Sequence, residues 1–154
     1  MSNHIKSYRG STQWKHRDRI STVMAMLINF NYLRPLYCFL LSVTDEELDD
    51  FYINSDAGVK RVYEEAKAEF SCFGPVSRER VIGALEYVLV SKSWLEHWEK
   101  LIPQEVSLDD VMDKRRYLHD LFVSLAEREP SSEFNTRDVE ITDEVGPEGL
   151  MLNK

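Results

Sequence analysis

The chain holds only two cysteines, six glycines and five prolines among 154 residues. Two cysteines cannot staple a disulfide-dense scaffold, and Cys38 and Cys72 have no second cysteine at metal or redox spacing. Both are expected as small buried hydrophobes in a reducing, cytoplasmic setting. So few glycines and prolines exclude a collagen-like or linker-dominated chain. There is no glycine-rich phosphate loop, nucleophile elbow or dinucleotide fingerprint. The four histidines, His4, His16, His97 and His119, lack the paired spacing of a helical zinc site. No metal or cofactor is expected, and the chain is not expected to be an enzyme.

A membrane-spanning run is missing too. The most apolar stretch, Ile20 to Val43, is interrupted by Asn29, Asn31, Arg34 and Pro35. An arginine at mid-span costs about 2.5–3.5 kcal/mol even on lenient insertion scales. The stretch therefore reads as buried core.

Hydrophobic residues make up 43% and charged residues 30%, enough to build a core and to exclude global disorder. Apolar spacing predicts a dense helix from about Lys15 to Leu33, ended by Arg34-Pro35, and a second buried piece from Leu36 to Val43. A buried strand is the competing assignment for that short run. Thr44 with Glu47 has the capping-box order and starts a short helix running to about Ile53. Further helices are expected over Ala57–Cys72, capped by Asp56, over Arg78–Ile102, capped by Ser77, and over Leu108–Arg128. The fold expected is an all-α bundle of five or six helices. An irregular arm at 1–14 precedes a helical domain at 15–129, and a flexible acidic tail follows at 130–154. Val139 to Thr142 alternates and admits one short strand or docking segment. No region is rich enough in strands to build a sheet.

Charge is unevenly placed. Up to Val43 there are six basic residues and one acid, Asp18, whereas the whole chain carries a net charge of −8. Acid concentrates at Asp45–Asp50 with Asp56, and again in the tail. An EF-hand reading of Asp45–Asp56 fails, because Asp50 stands where the loop needs glycine. His97 sits between Trp94 and Trp98, a pair expected to cover the rim of the core. His119 is followed by Asp120, but adjacent helical positions point about 100° apart and are not expected to face each other. Arg116 and Asp120 should pair instead. An enzymatic reading would need a pocket joining His97 or His119 to carboxylates of another helix.

These features point to a non-catalytic protein-binding module. Asp45, Glu46, Asp49, Asp50 and Asp56 would meet a basic protein, as an inhibitor or immunity-type antagonist covers the cationic site of a nuclease toxin. The alternative is a nucleic-acid-associated or regulatory protein using a basic arm of Lys6, Arg9, Lys15, Arg17 and Arg19, which the net charge opposes. Self-association is a third expectation, because the apolar run and the tryptophan pair exceed the needs of one small bundle.

Overall fold

The computed structural model describes residues 25–145 and 151–154. The arm at 1–14 and the candidate nucleic-acid residues Lys6, Arg9, Lys15, Arg17 and Arg19 lie outside the described residues. No helix among the described residues is long and apolar enough to cross a membrane.

The part of the first apolar run before residue 25 lies outside the described residues, and from there on the run is not one central helix. Met26–Ile28 is a strand, β1; Phe30–Tyr37 is a 3-10 helix; Cys38–Ser42 is α1. Asn29 makes the switch. Its backbone is extended and its side chain accepts a hydrogen bond from the Asn31 amide, which starts the helix there. Pro35 withholds a donor inside the 3-10 helix, and α-helical geometry begins only after it, at Cys38. Ser42 bonds back to the carbonyls of Cys38 and Phe39 as α1 ends.

Helix α2 spans Asp45–Asp49, and both bonds of the Thr44–Glu47 capping box form. Helix α3, Asp56–Ser71, is capped by Ser55 rather than by Asp56. Helix α4, Pro75–Val90, starts with proline in its first turn, ahead of the expected cap Ser77, which is buried. The single long helix expected to Ile102 is broken. Ser91 caps α4, Lys92 takes φ 58°, and the Ser93 amide bonds to the Val88 carbonyl at 3.0 Å. This is a Schellman-type end with lysine where glycine is usual. Helix α5 then covers Trp94–Leu101. Helix α6, Lys114–Ala126, begins at an Asp113 cap rather than at Leu108.

Helices α3, α4 and α6 pack together with the 3-10 helix. Their shared core includes Leu33, Leu36, Val62, Val81, Leu85, Leu118 and Phe122, each at most 1% exposed. Each such side chain contributes about 1.5–3 kcal/mol by leaving water. The Tyr37 and Tyr117 hydroxyls satisfy one another at 2.8 Å inside this core. Burial pushes the Tyr37 phenol up to about 12. Cys38 and Cys72 are both exposed, against expectation, because the helix phase at Cys38 and the cap position at Cys72 face outward.

The residues after α6 correct the flexible-tail expectation. Val139–Ile141 forms β2, paired in parallel with β1 in register Met26 to Val139 and Ile28 to Ile141. A two-stranded sheet therefore exists, built from strands at opposite ends of the described chain. The side-chain amides of Asn29 and Asn31 donate to the carbonyls of Glu144 and Asp143. At the other end of this strap, Arg128 grips the buried Glu86 with two hydrogen bonds, at 2.7 and 3.1 Å, and the Ser131 amide adds a third. Residues 151–154 also dock: the carbonyls of Leu152 and Lys154 accept from the Gly74 and Val76 amides, and Ser77 donates to Met151. They satisfy the free amides at the start of α4, where no side chain caps the helix.

Candidate protein interface

The five predicted contact residues are all exposed. Asp45, Glu46 and Asp49 lie on α2, Asp50 follows it, and Asp56 opens α3. Among the described residues none of the five is within 4 Å of a cationic side chain. The first four lie on one short helix and its C-terminal cap. Asp56 stands apart from them, across the loop that carries Tyr52.

What gathers around Asp56 was not legible in sequence. The loop before α3 is fastened to the loop before α6 by one residue. Asn54 donates from Nδ2 to the Asp110 carbonyl at 2.9 Å and accepts the Met112 amide at 3.0 Å. The two loops together hold out Tyr52, 58% exposed, and Met112, 86% exposed. Between them and the helices is a cavity of about 190 Å³. Its lining combines apolar Ile53, Val59 and Met112 with the carboxylates of Asp56, Asp113 and Asp120. Asp109 and Asp110 extend the acid along the second loop. The usable signal was three aspartates within five residues, Asp109, Asp110 and Asp113, at what proves to be a helix start. A helix drawn from Leu108 hid it.

The basic residues beside this surface are largely occupied. Lys114 is held by Asp110 at 3.1 Å and by the Val111 carbonyl, and lies over the Trp98 ring at 5.2 Å. Arg116 stands 3.8 Å from Asp120, the pair expected from helical spacing. By formal charge, Asp56, Asp109, Asp110, Asp113 and Asp120 outnumber Lys114, Arg115 and Arg116 around the two loops, a balance that favours a cationic partner.

The two histidines fare differently. His97 lies against the ring of Phe30, centroids 4.8 Å apart, on the rim covered by the half-buried Trp94 and Trp98. His119 does meet its neighbour. Its Nδ1 is 3.1 Å from Asp120 and its Nε2 is 2.5 Å from Glu129, so side-chain torsions close the angular gap that the helix leaves. Both ring nitrogens are thereby engaged by carboxylates. Asp120 first, then Glu129, holds the imidazolium proton above the usual histidine range. A raised folded pKa adds stability that is fully present below the unfolded value of 6.5 and fades as pH rises through the folded value. An NMR titration of the His119 ring should give a midpoint above 6.5, lowered by Glu129→Gln. A midpoint at or below 6.5 would contradict the two-carboxylate clasp.

Comparisons with protein-family models, with curated proteins and with solved structures give no match.

Proposed function

We propose that this chain is a non-catalytic protein-binding module whose acidic face takes a basic partner. The observation that carries this reading is the Asn54-fastened pair of loops, which hold Met112 and Tyr52 out among carboxylates. A bundle of this size has ample core to bury a methionine, and an 86% exposed one loses its hydrophobic contribution unless something covers it. An aromatic and a methionine ringed by charge have the make-up of an interface anchor with a polar rim. Carboxylates on α2 would speed the approach of a cationic surface, while Met112 and Tyr52 would set how long it stays. An antagonist that covers the cationic site of a nuclease or similar toxin is the narrower form of this proposal.

A side-by-side pull-down tests it, with the wild-type chain, the Asp45→Asn, Glu46→Gln, Asp49→Asn, Asp50→Asn variant, and Met112→Ala, each eluted by a salt gradient. The expected result is a basic protein held by the wild type and released by salt. The charge variant should bind that protein more slowly and with less salt dependence. Met112→Ala should weaken it about tenfold, through faster dissociation. If both variants retain every protein at wild-type rates, the reading fails.

A further inference from the structure

Among the described residues, strand β2 has one paired edge and one open edge. On the paired side the Met26 amide donates to the Asp138 carbonyl at 2.8 Å, and the Thr142 amide donates to the Ile28 carbonyl at 2.9 Å. Backbone groups of successive strand residues point alternately to either side of the strand. Val139 and Ile141 therefore turn their N–H and C=O groups away from β1. Among the described residues, these four groups have no hydrogen-bond partner. The strand is also held ready. Asn29 and Asn31 fix the chain just beyond it, and the Glu86 clasp on Arg128 and Ser131 fixes the chain before it. A held strand whose outward donors and acceptors have no partner among the described residues is a template for a further strand. Little ordering cost remains on this side of the contact.

Charge selects the occupant. Residues 131–145 carry Glu133, Asp138, Glu140, Asp143 and Glu144 against Arg137 alone. None of these carboxylates is within 4 Å of a cationic side chain among the described residues. A second copy laid against β2 would set Asp138 and Glu140 opposite like charges, which destabilises a strand pair. A strand bearing lysine or arginine turns the same residues into attraction. Ile141, 42% exposed, supplies an apolar side chain on the strand itself. We propose that the outer edge of β2 is a docking site for an extended basic segment of a partner protein, added as a third strand. These residues are not those of the Asn54-fastened loops, so the proposal stands or falls apart from the reading above.

The test uses the full chain, isotope-labelled for NMR, and a blocked peptide of alternating lysine and valine as the probe. Addition at low salt should shift the Val139 and Ile141 amides and slow their hydrogen exchange. Ile141→Pro should weaken binding about tenfold, because it removes an outward N–H while leaving the bonds to β1 in place. Proline can unsettle so short a sheet. The same loss should therefore appear against unaltered protein when the peptide is N-methylated at its valines. Unchanged affinity of the N-methylated peptide would overturn strand addition, as would shifts confined to other residues or no binding at all. Equal binding of a glutamate–valine peptide would overturn the basic occupant. Pairing of two chains through β2 that the peptide cannot displace would assign the edge to a second copy instead.

Discussion

Arg128→Ala should cost about 3 kcal/mol of folding stability. Glu86 is 4% exposed on the inner face of α4, in a position that otherwise belongs to the core. Its carboxylate is satisfied by three donors, two from Arg128 and one from the Ser131 amide. Removing the guanidinium leaves a buried charge with a single partner, and that penalty, more than the lost attraction, sets the size of the effect. The arginine end is half exposed, which places the cost at the lower end of the usual range for breaking such a pair. Arg128 also covers the Phe122 ring at 5.1 Å, so packing is lost with the charge. Urea denaturation should show the lower midpoint. The Ser131–Val145 strap should exchange its amides faster than α3 does, because the clasp is its first anchor. A loss below about 1 kcal/mol would mean that Glu86 finds water, and the clasp would then be ornamental.

The same pair sets an acid limit. Burial pushes the Glu86 carboxyl up, but the Arg128 bonds and the Ser131 amide outweigh burial and hold it below the usual glutamate range. A depressed folded pKa contributes stability that is present above the unfolded value and is lost as pH falls through the folded one. The Glu86 contribution should therefore be intact at neutral pH and fade in the acid range below about 4.5. Arg128→Ala should flatten that part of the stability profile.

What could be read from sequence divides along the range of the interaction. The start of α2 was legible because the capping box at Thr44 and Glu47 is complete within four residues. The arginine–aspartate pair on α6 was legible for the same reason. The break after α4 is equally local, yet it was missed, because Lys92 occupies the left-handed position without the glycine that announces it. Strand β1 could not be told from buried helix, since its identity depends on pairing with residues near the other end of the chain. The Asn29–Glu144 bond beside it spans 115 residues. The candidate interface shows the same division. Composition pointed to Asp45, Glu46, Asp49, Asp50 and Asp56, but Tyr52 and Met112 stand out only once Asn54 has joined two loops 58 positions apart.

Gly58→Ala should destabilise the fold by about 3 kcal/mol, where the same change in most helices stabilises it by about 1 kcal/mol. Gly58 lies in the first turn of α3, where its amide donates to Ser55 Oγ at 3.0 Å. A β-carbon there would lie 1.8 Å from the Tyr52 carbonyl oxygen and 2.7 Å from its carbon. These are backbone atoms, so no rotamer relieves the overlap. Either α3 loses its first turn with the Ser55 cap, or the Tyr52–Ser55 turn moves away. The second route strains Asn54, which ties that turn to Asp110 and Met112. The sign of the effect is thus the diagnostic. Thermal or urea unfolding of Gly58→Ala should show a loss and not the usual helical gain. NMR shifts should spread from Tyr52 to Met112 while the α4 core stays unperturbed. A stabilised variant would mean that the Tyr52 carbonyl gives way freely, and the loop pair could not then hold Tyr52 and Met112 in a fixed arrangement for a partner.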